Sequence, residues 1–244
     1  MHFITEQRLD HNILEREFTV GEIPGILWTP ASASEQLPLI LVSPPPLGLR
    51  RMYPRLLARV RHSAAEGYAV ATIELPWCGD RPRSAAADQT RADLRRALAA
   101  GGPIADDLID RLILPLVDQA VPEWQTTLDA LLTLPEITGP VGYSGGVISI
   151  GTRLAAVDPR IAAAVLFAGS FVPRTILEEA RHVTIPLHVL LQWDDEGNDR
   201  HRSLALFDAF ASKTKTLHAN MGGHTGVPQY AGEEASRFFN RHLK

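Results

Sequence analysis

Short apolar runs, bounded by Gly or Pro and separated by longer amphipathic segments, constrain this chain more than any other feature. Leu39-Ile40-Leu41-Val42, Tyr68–Ile73, Ala163–Phe167 and Leu187–Leu191 are too short for helices and apolar at nearly every position. Strands covered on both faces read in this way. Val141–Tyr143 and Thr214–His218 extend the series more weakly. Apolar periodicity predicts helices over Tyr53–Ala65, Trp124–Leu132, Val147–Val157, Ser203–Ala211 and Glu233–His242. The alternation predicts an α/β protein with a mostly parallel central sheet and helices on both faces. Glu17–Val20 and Gly25–Trp28, on either side of a Pro-containing turn, predict an antiparallel N-terminal hairpin at one sheet edge.

A length of 244 residues suits one domain over 1–244, large enough to bury a core without metal or disulfide support. The stretch 81–123 breaks the strand-helix rhythm with charged helical pieces, a Gly/Pro break at 101–103 and a second apolar helix through Leu112–Val117. It reads equally as a helical lid over a pocket and as ordinary helices on a sheet face. Lys and Arg number 24 against 28 Asp and Glu, giving a formal charge of −4 with no basic cluster. That balance argues against a nucleic-acid partner. The one cysteine, Cys78, excludes an intrachain disulfide. Charges in the first ten residues argue against a secretory signal, and no apolar stretch approaches the roughly 18 residues of a membrane span. The expectation is a cytoplasmic protein acting on a small molecule without a membrane, with monomer and homodimer both open.

Gly142-Tyr143-Ser144-Gly145-Gly146 fits G-x-S-x-G between a predicted strand and a predicted helix. In that context the glycines allow a tight turn, the serine is expected in a strained conformation, and its hydroxyl emerges at the carboxyl end of the strand. A following helix would direct its N-terminal dipole at the place where an oxyanion forms. The nucleophile needs a base, and the base needs an orienting acid. Asp194-Asp195 follows the Leu187–Leu191 run, and His224 lies after the last predicted strand and before the final helix. Taken singly, these are an ordinary capping pair and a loop histidine. Three residue types in the order serine, acid, histidine, each at a strand end, favour a catalytic triad.

At these residues the sequence resembles the α/β-hydrolase superfamily, in its dienelactone-hydrolase-like and prolyl-oligopeptidase-like serine hydrolase branches. The resemblance runs from Leu39 onward and includes the stretches 66–70, 75–76 and 79–82, the 192–196 motif, 203–208 and Gly222-Gly223-His224. It implies Ser144 as nucleophile, Asp195 as acid and His224 as general base, with Asp194 able to exchange with Asp195. Ser149-Ile150-Gly151-Thr152 resembles a second elbow of this branch. Ser144 fits better, because more chain separates it from Pro159 for the required helix, and Val147 would stand where an elbow at Ser149 wants glycine.

Two departures bear on the site. The family usually carries His-Gly-x after the first long parallel strand and takes an oxyanion donor from that loop. Here the chain reads Ser43-Pro44-Pro45-Pro46-Leu47-Gly48, and proline has no N–H. Losing one oxyanion donor costs about 3 kcal/mol, unless Leu47 or Gly48 reaches the site or the prolines form a turn that merely displaces the donor. The second is Pro76-Trp77-Cys78-Gly79, where relatives often carry Gly-His-Gly, which puts Trp77 and Cys78 near the pocket mouth. Cys78 reads as a small buried hydrophobe. Trp193 reads as core packing or a pocket wall. The expected oxyanion and substrate-binding residues are Gly145, Pro46, Leu47, Tyr143 and Trp77. The remaining histidines, among them His62, His182, His188, His201 and His218, show no pairing at helical spacing with a third ligand, so no metal or other cofactor is assigned. The expected function is a serine hydrolase cleaving an ester, thioester or lactone. The alternatives are a lyase or cyclase using His224 as acid and base without an acyl-enzyme, and a non-catalytic binder.

Overall fold

The computed structural model describes residues 1–244 except Ser34, Gly102, Glu196 and Gln229. Gly102 in the predicted break and Glu196 in the 192–196 motif therefore lie outside the described residues. Among the described residues, nine strands form one sheet: β1 (His2–Leu9), β2 (Ile13–Val20), β3 (Ile23–Pro30), β4 (Leu37–Ser43), β5 (Ala69–Ile73), β6 (Ile137–Gly145), β7 (Ile161–Phe167), β8 (Leu187–Gln192) and β9 (Lys215–Asn220). Their order is β1-β2-β3-β5-β4-β6-β7-β8-β9. Neighbours from β5 to β9 run parallel, while β1, β2 and β3 are antiparallel and β3 meets β5 antiparallel. The predicted hairpin is thus β2 and β3 with an extra edge strand. The sequence HFITEQRL of β1 lacks an apolar run and is mostly exposed, so hydropathy gave no sign of it. Its charged residues suit an edge that must not pair with another chain.

Among the described residues, seven α-helices cover the sheet: α1 (Leu49–Ala65), α2 (Ala85–Ala99), α3 (Asp106–Leu131), α4 (Ile148–Val157), α5 (Arg174–Ala180), α6 (Arg200–Ala209) and α7 (Ala231–Leu243). Side-chain alternation along the strands builds two cores. Leu27, Leu39 and Leu41 face one way and pack with α3, α4, α5 and α6, whereas Trp28, Ile40 and Val42 face α1 and α7. The predicted helical pieces 112–117 and 124–132 are one 26-residue helix, α3, which continues through Pro115 and Pro122. Tertiary packing outweighs the two prolines: Leu116, Val117, Val121 and Trp124 beside them are buried.

The strand order fixes where a ligand can enter. From β4 the chain crosses to β5 on one side, and β6 lies on the other, so the sheet order reverses between β4 and β6. Diverging connections leave a crevice at the carboxyl ends of these two strands. The register pairs Val42 with Ser144 and Ser43 with Gly145 there. The proline loop and the glycine-serine turn therefore leave the sheet side by side.

Candidate active site

Ser144 is the penultimate residue of β6 and is buried beside Val42 of β4 and Val165 of β7. The expected strain falls elsewhere. Positive φ belongs to Gly145 (85°) and Gly146 (68°), and Ser144 is not among the positive-φ residues. Paired glycines absorb the turn, so the serine keeps ordinary extended backbone. Both are also required by space. A Cβ on Gly145 would lie 2.6 Å from Arg59 Nη1, and one on Gly146 would lie 2.4 Å from Ser43 Oγ. The helix α4 starts only at Ile148, after Val147 as N-cap.

Asp195 follows β8 and is buried, with Oδ1 accepting the Gly197 N–H at 3.2 Å. Its Oδ2 lies 2.8 Å from Nδ1 of His224, which stands in the loop between β9 and α7 with its ring edge-on to Phe167. Asp194 is exposed and lines the cavity rim. Asp195 is therefore the carboxylate joined to the imidazole. Ser149 lies inside α4, fully buried and away from the cavity.

Ser144, Asp195 and His224 line one cavity of about 1310 Å³. Its walls include Leu56 of α1, Leu112 and Leu116 of α3, Phe167 of β7 and Phe171, with Ala87 and Arg91 of α2 at one side. Such an apolar enclosure with a few convergent polar groups is what small-molecule sites share. Pro46, Leu47, Gly145 and Trp77 line it. Trp77 adopts a positive φ of 60°. Tyr143 does not line it: strand alternation turns this side chain into the opposite core, edge-on to Trp124 with ring centroids 6.2 Å apart. Trp193 neither walls the cavity nor packs in the core; it is exposed, with the Arg200 guanidinium 4.2 Å over its ring. Cys78 is buried, with its thiol pKa raised by burial.

Ser144 Oγ does not hydrogen-bond His224 among the described residues. It accepts a hydrogen bond from Nη2 of Arg59, a partly buried side chain of α1 that also lines the cavity. Nothing in the sequence marks Arg59 as part of the site. No salt bridge involves it among the described residues, and burial pulls its pKa down to about 10, which leaves it charged at neutral pH. In the proline loop, the Leu47 N–H donates to Pro45 O at 2.7 Å and the Leu49 N–H to the buried Glu74 carboxylate at 2.9 Å. Gly48 does not line the cavity. Next to the serine, then, the side-chain donor is the guanidinium of Arg59. Besides Asp195 and His224, the cavity supplies no third metal-ligating side chain grouped with them among the described residues.

No protein-family model matches the chain, and no curated protein matches it. Solved structures do. A cold-adapted esterase from an Arctic intertidal metagenomic library, in a PEG-bound complex, is 25% identical over 100% of both chains, with a TM-score of 0.76. A provisionally assigned dienelactone hydrolase from Klebsiella pneumoniae is 16% identical over 93% of this chain and 97% of its own, with a TM-score of 0.67. An acetyl xylan esterase from Paenibacillus is 15% identical over 99% and 88%, with a TM-score of 0.69. The chain has the α/β-hydrolase fold.

Proposed function

We propose that this α/β-hydrolase-fold chain is a serine hydrolase that cleaves an ester, thioester or lactone of a small molecule. The observation that carries this reading is the Asp195–His224 hydrogen bond on the wall of the same cavity that Ser144 lines. Its likeness to esterases over the whole chain agrees with it. With Nδ1–H donated to Asp195 Oδ2, the Nε2 of His224 carries the lone pair that takes the Ser144 proton. Ser144 Oγ then attacks the carbonyl carbon, the C–O or C–S bond breaks, and His224 returns the proton to the leaving group. Water repeats the sequence on the acyl-enzyme and frees the acid. The Arg59 guanidinium shifts from the ground-state hydroxyl to the carbonyl oxygen as charge develops there. It joins the Gly145 N–H in the role that the proline loop has vacated. Apolar walls from α1 and α3 hold the acyl group, with α2 and the start of α3 serving as the lid of a single domain. The buried free thiol of Cys78 suits a reducing compartment, and we place the enzyme in the cytoplasm.

A second reading rests on the bond between Ser144 and Arg59. A serine held by a cation, facing a loop poor in donors, also suits a lyase or cyclase that moves protons through His224 and forms no acyl-enzyme. Turnover of p-nitrophenyl acetate separates the two. Hydrolysis predicts that Ser144→Ala and His224→Ala each reduce kcat by roughly 10⁶-fold. A wild type that leaves p-nitrophenyl acetate intact supports the second reading, and full hydrolysis by both variants contradicts a role for this site.

A further inference from the structure

Residue patterns along the chain assigned no metal, because none of the histidines pairs at helical spacing with a third ligand. The fold supplies a grouping by another route. In the β8–β9 register His188 stands opposite Thr216 and Leu190 opposite His218, so both histidines project from the same sheet face. That face is covered by α7, whose first turn carries Glu234. The imidazole rings meet edge-on with centroids 6.2 Å apart, and His218 Nδ1 lies 2.7 Å from Glu234 Oε2. Tyr230 packs against His218, and Phe238 against His188. One ligand atom from each of His188, His218 and Glu234 falls within 4.8 Å of the other two.

The polar bookkeeping at this cluster is incomplete. His188 is 8% exposed, and its Nδ1 is engaged with Thr216 Oγ1 at 2.8 Å. Its Nε2 is buried without a partner among the described residues, an arrangement that costs stability unless a ligand is present. When Nδ1–H is donated to the hydroxyl, Nε2 offers its lone pair, and a second-shell oxygen fixes a metal-binding histidine in this way. Burial also lowers the pKa of this ring. Two imidazole nitrogens and one carboxylate oxygen are a zinc donor set, with bonds of about 2.0–2.2 Å. Reaching that distance requires the partly exposed His218 and Glu234 side chains to rotate inward.

We propose that His188, His218 and Glu234 form a site for a zinc ion, with its fourth position open to water. The ion would clamp α7 to β8 and β9 immediately behind the loop that carries His224. This site is independent of any reaction at Ser144. The test is isothermal titration of EDTA-treated, dialysed protein with zinc chloride, alongside thermal melts with zinc and with magnesium. Wild type is expected to take up one zinc ion and to melt at higher temperature with zinc, while magnesium, which prefers an all-oxygen shell, leaves the melt unchanged. Glu234→Gln and His218→Gln, each checked for a native circular dichroism spectrum, are expected to weaken zinc binding at least tenfold and to lose the shift. If one variant fails to fold, the other decides. No uptake by wild type, or less than tenfold weakening in a folded variant, overturns the proposal.

Discussion

Arg59 is one of several arginines along α1, with Arg55 and Arg61 on either side. Nothing in its spacing distinguishes it from a solvated helix face. Only the approach of α1 to the end of β6 puts its guanidinium on Ser144 Oγ and against Gly145. The serine, aspartate and histidine were legible because each residue type sits at a strand end in a set chain order; the arginine was not, because its role depends on helix-to-strand packing. The same limit applies to backbone strain. The motif identified a tight turn but not which residue carries the positive φ, and two consecutive glycines moved it past the serine. If Arg59 binds the oxyanion, Arg59→Ala lowers kcat on p-nitrophenyl esters about a hundred- to a thousandfold with KM little changed. Arg59→Lys restores part of the rate. Unchanged kcat in Arg59→Ala contradicts this role.

Among the elements, α1 depends on a carboxylate supplied from outside it. Glu74, just after β5, accepts the Leu49 N–H at the helix start and packs against Gly79, where a Cβ would lie 2.1 Å from Oε2. This tie holds the proline loop to the turn carrying Trp77 and complements the positive end of the helix dipole. Burial raises the Glu74 carboxyl above its ordinary pKa, against the lowering effect of the Leu49 N–H. A carboxyl with a raised folded pKa contributes stability that is complete below the unfolded value, near 4.3, and is lost as pH rises through the folded value. The melting-temperature difference between Glu74→Gln and wild type should therefore shift in favour of the variant from acid to neutral pH. A difference independent of pH contradicts a buried, ionising Glu74. The parallel strands were readable as elements because burial on both faces leaves near-continuous apolar runs. The edge strand β1, and α3 with its internal prolines, were hidden because pairing and core packing decide them rather than local pattern.

At the scale of the molecule, the decisive feature is the reversal of strand order between β4 and β6. It opens a crevice into which the ends of β6 and β8 and the loop after β9 all deliver side chains. The strand-helix alternation of the sequence carried the α/β class and the parallel sheet, and the chain order of Ser144, Asp195 and His224, but not this strand order. It held no trace of groupings made by sheet register, such as His188 with His218. The central claim is that distant segments, once folded, make Ser144 a nucleophile through His224. Intact-mass and peptide mass spectrometry after fluorophosphonate treatment tests it most directly. A single adduct is expected on Ser144 of the native protein, absent from His224→Ala and from protein unfolded in urea. Native protein that stays unlabelled, or carries its label on Ser149, contradicts it.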